Sequence, residues 1–212
     1  MVVARPNNSL ILVVALMSVT VCAAADELSN EITAFGGYRF GGTFEVQDSD
    51  ASYEWQDASS WGLIWDYRND ANTEIEVFFS RQTTTAEFND VTTEAPILDV
   101  ETTVLQLGGT VFAEGETVRP YLAATIGGTH IRAEAGAEES DTFFSGSIGA
   151  GVKIKPNSRL GLRLEVRAHG TLTSESTDLF CRTGPDLNAC AIQVKGNLFG
   201  QVEVFAGVVL RF

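Results

Sequence analysis

Apolar and polar residues alternate with a period of two over most of the chain, which is the mark of strands with two chemically different faces. In the clearest stretch, Leu160, Leu162, Leu164, Val166 and Ala168 share one face, against Gly161, Arg163, Glu165 and Arg167 on the other. A helix would scatter these sets around its circumference, whereas a strand separates them. The chain ends the same way: Val202, Val204, Ala206, Val208, Leu210 and Phe212 oppose Gln201, Glu203, Phe205, Gly207, Val209 and Arg211. Phe144 to Ile154, Val104 to Ala113 and Glu74 to Phe79 repeat the pattern, and less regular versions start at Ile32, Trp61 and Tyr121. The pattern predicts eight strands, each about long enough to cross a bilayer when tilted.

The connections between these strands alternate in length. Short ones fall at 68–72, 114–119 and 156–158, and long ones at 41–59, 82–98, 133–141 and 171–191. Two barrels carry such a pattern: a soluble one with the apolar set inside, or a membrane one with it outside. The second set decides for the membrane version. It is rich in small or weakly polar residues (Ser145, Ser147, Gly149, Gly151, Gly108, Thr110, Thr125), which suit the narrow interior of eight strands. Its charges, Arg39, Glu74, Glu76, Arg163, Glu165, Arg167, Glu203 and Arg211, have both signs and can pair across a lumen. Facing lipid near mid-bilayer, each cation would cost roughly 2–4 kcal/mol. Tyr38, Phe40, Trp61, Tyr67 and Phe212 lie towards strand ends, where interfacial aromatics sit. In lipid no water satisfies a free sheet edge, so the strands must close on one another. The expected fold is all-β: an eight-stranded antiparallel up-and-down transmembrane β-barrel.

Residues 1–25 read as a cleaved signal peptide. Arg5 supplies the positive start, 10–21 is mostly apolar, and Ala23-Ala24-Ala25 precedes Asp26 as a cleavage site. The apolar run is short for a membrane-spanning helix. Residues 26–212 then form the barrel domain, with both termini periplasmic because the strand number is even. If Cys22 leaves with the leader, Cys181 and Cys190 remain, and an even pair in an exported protein reads as a disulfide.

With 28 acidic and 14 basic residues the net charge is −14, and no basic patch exists for phosphate contacts, so nucleic acid is excluded as a partner. The carboxylates crowd the long connections, from Glu45, Asp48 and Asp50 through Glu87 and Asp90 to Glu138, Glu139, Asp178 and Asp186. Only Arg132, at a loop edge, and Arg182 oppose them there. Such a crown draws divalent cations or a basic partner by long-range attraction, although no spacing matches a calcium loop.

The stretches AFGGYRFGG, SIGAGVKI, RLGLRLEVRAHGTL and EVFAGVVLRF give residues 31–212 a family resemblance. The chain resembles the small eight-stranded Gram-negative outer-membrane β-barrel proteins of the OmpA/OmpX type. That resemblance implies residence in the cell outer membrane, among its lipids and lipopolysaccharide. It also implies that Val208, Leu210 and the terminal aromatic Phe212 form the signal read by the outer-membrane assembly machinery. Some barrels of this size modify lipid A with a histidine, a serine and an acid. Here His169 is followed by Gly170, Thr171, Ser174 and Glu175, but the expected His-x-Ser is absent, so a polar histidine at a strand end is the preferred reading. The glycine pairs at 36–37, 108–109 and 127–128 lie within strands with no helix after them, which argues against a phosphate loop. The expected role is non-enzymatic: an integral outer-membrane protein with a largely plugged polar lumen, no cofactor, and a structural or surface-interaction task. A narrow porin-like channel is the alternative.

Overall fold

The computed structural model describes residues 29–41, 43–45, 52–89, 98–134, 138–155, 158–172, 178–184, 187–193 and 198–212. The signal segment lies outside these residues, as do Asp48, Asp50, Asp90, Glu94, Ser174, Glu175 and Asp186. Among the described residues every regular element is a strand: β1 (Asn30–Phe40), β2 (Thr43–Glu45), β3 (Ser52–Trp55), β4 (Ala58–Arg68), β5 (Thr73–Asn89), β6 (Leu98–Phe112), β7 (Val118–Glu134), β8 (Glu138–Ile154), β9 (Leu160–Thr171), β10 (Asp178–Gly184), β11 (Leu187–Gln193) and β12 (Phe199–Arg211).

Eight of them form a closed antiparallel ring in the order β1-β4-β5-β6-β7-β8-β9-β12, with β12 pairing back onto β1. The β2–β3 hairpin extends the ring through the outer part of β5, and β10–β11 is a separate two-stranded sheet. Closure leaves the barrel wall without a free edge, which a lipid environment demands.

Burial follows the period-two pattern strand by strand. Along β12 buried and exposed residues alternate without a break, and β9 does so from Leu162 to His169. Leu162, Leu164, Val166, Val204, Val208 and Leu210 are on the outside, each about half exposed, while Arg163, Arg167 and Glu203 are buried within. The apolar set therefore faces outward.

The turns at one end are short and internally bonded. Asp70 holds the β4–β5 turn by accepting from the Asn72 backbone N–H at 2.7 Å and the Thr73 hydroxyl at 2.6 Å, a side-chain mimic of a backbone turn. Its carboxyl lies below the usual range, first because of the Thr73 hydroxyl and then the Asn72 N–H. Arg119 ties two neighbouring turns together, donating to Ala71 O, Asn72 Oδ1 and Ala113 O. Lys155 turns the chain after β8 in the left-handed region, at φ 55°.

At the other end the wall is uneven. β5, β7 and β8 have 17 residues and β6 has 15, against 11 in β1 and β4, 12 in β9 and 13 in β12. About 9–11 residues cross a bilayer, so β5–β8 run on well past its thickness. This corrects the expected loop bounds at 82–98 and 133–141. Glu87, Asp99, Glu134, Glu138, Glu139 and Asp141 lie on strand continuations rather than in loops. The physical reason is local: threonine-rich segments such as Gln82–Thr85 keep β propensity after the apolar face has ended. Loss of alternation marks the exit from lipid, and the ladder continues into water.

Candidate functional site

The chemistry of this molecule is concentrated inside the ring. Strand parity carries six carboxylates (Glu31, Asp66, Glu74, Glu76, Glu165, Glu203), five cations (Arg39, Lys153, Arg163, Arg167, Arg211) and His169 to buried positions in the lumen. The near balance of signs means that the chain's net charge of −14 is carried mainly elsewhere.

At the turn end, the Lys153 ammonium sits among three carboxylates, donating to Glu74 at 2.6 Å, Glu31 at 2.8 Å and Asp66 at 3.1 Å. By spacing alone Glu31, Asp66 and Glu74 are a possible metal-binding group. The lysine supplies the positive charge that such a cage needs. Arg211 donates to the other oxygen of Glu31.

Further in, Arg163 is the hub. It reaches Asp66 at 2.9 Å, Glu76 at 2.6 Å and Glu165 at 2.7 Å, and its Nε donates to the Tyr121 hydroxyl at 2.7 Å. Tyr121 in turn donates to Glu165 at 2.5 Å. Arg167 closes the circuit on Glu76 at 2.7 Å and Glu165 at 2.5 Å, with its guanidinium 4.1 Å from the centre of the Phe78 ring. Both arginine side chains are fully buried. Small residues make this possible: a Cβ at Gly149 would fall on the Glu165 carboxylate, and one at Gly62 on the Phe35 ring.

Above this network, Phe35, Ile64, Phe78, Val104 and Phe205 form an apolar cluster inside the lumen. Phe35 stacks on Phe205 at 4.2 Å and on Phe78 at 5.7 Å. Two residues along β6 from Val104, Gln106 donates to Ser145 at 2.9 Å and accepts from Thr125 and Ser147, both at 2.8 Å.

Beyond the aromatics, towards the loop end, lies a second and sparser polar cluster. Arg39 Nη2 donates to Ser80 at 2.6 Å and to Glu203 at 3.1 Å. Ser80 also donates to Glu203, at 3.0 Å, and His169 Nε2 lies 3.0 Å from the same carboxylate.

The sequence-predicted lumen set, Arg39, Glu74, Glu76, Arg163, Glu165, Arg167 and Glu203, is thus entirely inward, but the structure divides it. Arg39 and Glu203 pair with each other beyond the aromatics, apart from the rest. Glu31, Asp66, Tyr121 and Lys153 are partners that sequence reasoning did not place in the network; inward parity on their strands was the available signal. His169 lies two residues before the end of β9 and points into the lumen, its ring tilted against Phe78 at 5.6 Å between centres and bonded to Glu203. Val208, Leu210 and Phe212 lie on the outer face, and the backbones of Cys181 and Cys190 are partners in the β10–β11 ladder.

A closed antiparallel barrel with an apolar exterior and a charged interior defines a membrane-spanning β-barrel protein. The family described as "Outer membrane protein beta-barrel domain" matches residues 11–195, and the chain belongs to it; it is an outer-membrane protein. Among solved structures it is similar to the Neisserial surface protein A (NspA), with 15% identity and a TM-score of 0.56, covering 86% of this chain and 97% of that one. It is similar to the N-terminal β-barrel domain of Pseudomonas aeruginosa OprF, with 16% identity and a TM-score of 0.50 over 88% and 98% of the two chains. It also resembles OprG from Pseudomonas aeruginosa, with 10% identity and a TM-score of 0.55 over 87% and 96%. At these identities the likeness is one of fold. A comparison with curated proteins finds no match.

Proposed function

We propose that this protein is a closed-lumen barrel, neither a channel nor an enzyme, whose task is structural or is carried out at its surface by the acidic loop end. The observation that carries this reading is the fully buried Arg163–Arg167 pair, each cation shared between Glu76 and Glu165 across the lumen. Opening a path there would strip partners from buried charges, which is strongly unfavourable. The apolar cluster of Phe35, Phe78 and Phe205 supports closure by a second, uncharged layer.

In this reading both termini face the periplasm and the long, acidic connections face outward. Those connections meet lipopolysaccharide and gather divalent cations, residues 1–25 are removed on export, and Val208, Leu210 and Phe212 direct assembly. Cys181 and Cys190, opposite one another in β10–β11, form a disulfide that stiffens the last loop. His169 has Glu203 as its partner within the lumen, a place remote from lipid substrates, which supports a non-enzymatic role.

Osmotic swelling of proteoliposomes tests the proposal. Vesicles holding the purified protein are expected to stay as tight to small sugars and amino acids as protein-free vesicles. Swelling that scales with protein content would establish the porin-like alternative instead.

A further inference from the structure

The two polar clusters of the lumen differ in how completely their atoms are bonded. Most of the buried side-chain nitrogen and oxygen atoms without a partner, among the described residues, lie on the loop side of the aromatic cluster: Arg39 Nε and Nη1, Gln82 Oε1, Thr102 Oγ1, His169 Nδ1 and Gln201 Nε2. They form a connected group. Gln82 faces Thr102 across β5–β6, and Gln201 faces His169 across β9–β12. Gln82 Nε2 donates to the Arg39 carbonyl, and Arg39 and His169 meet on Glu203. On each strand concerned the group lies beyond the cluster residue: Arg39 past Phe35, Gln82 past Phe78, Thr102 past Val104, and Gln201 past Phe205.

A buried polar group left unpaired costs more than a made hydrogen bond returns, and native interiors satisfy such groups with protein or with ordered water. One orphan is tolerable; a contiguous set on five side chains is not. Its chemistry is mixed as well. Arg39 Nε and Nη1 and Gln201 Nε2 can only donate and Thr102 can do either, while Gln82 Oε1 must accept, as does His169 Nδ1 in the neutral ring whose Nε2–H faces Glu203. The matching guest is small and both accepts and donates. An anion is disfavoured by Glu203 within the group and by the acidic connections above it.

We propose that the loop-end half of the lumen is a hydrated, dead-end vestibule. It is floored by Phe35, Phe78 and Phe205 and is entered from the loop side by water and small neutral hydrogen-bonding solutes. The inference rests on the closed-lumen reading and adds a depth to it: solvent reaches the aromatic layer and stops.

Cysteine accessibility in the refolded full-length protein separates the two ideas. Thr102→Cys and Gln201→Cys lie above the aromatic floor; Thr33→Cys and Thr110→Cys lie below it. Each variant is first checked for folding by its heat-modifiable gel mobility. It is then treated with a small neutral methanethiosulfonate reagent, and the label is located by peptide mass spectrometry. The expected result is complete modification of the upper pair under conditions that leave the lower pair unmodified. Protection of all four overturns the vestibule and leaves the closed lumen standing. Modification of all four overturns the closed lumen itself. For any upper variant that does not fold, magnetisation transfer from mobile water to the Arg39 guanidinium in the unsubstituted protein reads the same property. Transfer supports the vestibule, and its absence overturns it.

Discussion

The two ends of one lumen solve the problem of buried charge differently. At the turn end Arg163 has three carboxylate partners, Arg167 two and Lys153 three, so that each of these three charges is held from several strands at once, and Arg211 has Glu31 alone among the described residues. At the loop end Arg39 has a single carboxylate, Glu203, which it shares with His169. Buried ions of this kind are stable only when geometry and hydrogen bonds are complete. At the turn end only Asp66 Oδ1 and Thr33 Oγ1 lack a partner among the described residues, against six atoms in the loop-end group; in the proposed reading the fuller network is a dry, rigid plug and the emptier one calls for water. The difference teaches that, in the proposed reading, plugging follows from the network's closure and not from the number of charges a lumen holds.

The sharpest way to break this contrast is to remove the hub. Arg163→Met leaves Asp66, Glu76 and Glu165 without their shared cation in a dry site and is expected to cost about 3–5 kcal/mol. That loss is read as a large drop in the urea midpoint of the heat-modifiable folded form. Gly149→Val comes next. Its side chain collides with the Glu165 carboxylate, which two arginines hold in place, so overpacking of about 1–3 kcal/mol is expected by the same assay. Arg39→Met, at the loop end, is expected to cost only about 1.5 kcal/mol, the scale of a hydrogen bond to a charged group, because water replaces it around Glu203. Equal penalties for Arg39→Met and Arg163→Met would erase the distinction between the two halves.

Most of the fold was legible in the sequence because a barrel has two faces and one period. Residue parity alone sent Arg39, Arg163, Arg167 and Glu203 inward and Leu162, Leu164, Val204 and Val208 outward. What parity does not report is height. It could not separate Arg39 and Glu203 from the central network, since that depends on the stagger between strands, which is a property of closure. Nor could it bring Lys153, on β8, to Glu31, Asp66 and Glu74, which sit together on the neighbouring strands β1, β4 and β5 and meet its ammonium only across the lumen. His169 shares the inward parity of Arg163, Glu165 and Arg167, but its partner Glu203 lies on another strand, which parity does not report. The strand lengths of β5–β8 were underestimated for a related reason: hydropathy reports the lipid boundary, whereas backbone pairing continues beyond it.

The smallest expected effect lies outside the lumen, at the turn that closes its dense end. The Asp70 carboxyl is held below its ordinary range by the Thr73 hydroxyl and the Asn72 N–H, so its ionised form favours the folded state. That contribution is present above the unfolded carboxylate range and fades as pH falls through the lower folded value. Asp70→Asn is therefore expected to be slightly less stable than the parent at neutral pH and indistinguishable from it in strong acid, as read by paired urea titrations. A difference that persists unchanged in acid would show that the turn depends on side-chain shape and not on charge.

Planar-bilayer recording of the purified, folded protein tests closure most directly, because it registers any continuous ion path past Arg163 and Arg167. A closed lumen leaves the membrane quiet, with no reproducible current steps as protein is added. Discrete, protein-dependent steps of constant size in the parent protein would contradict it.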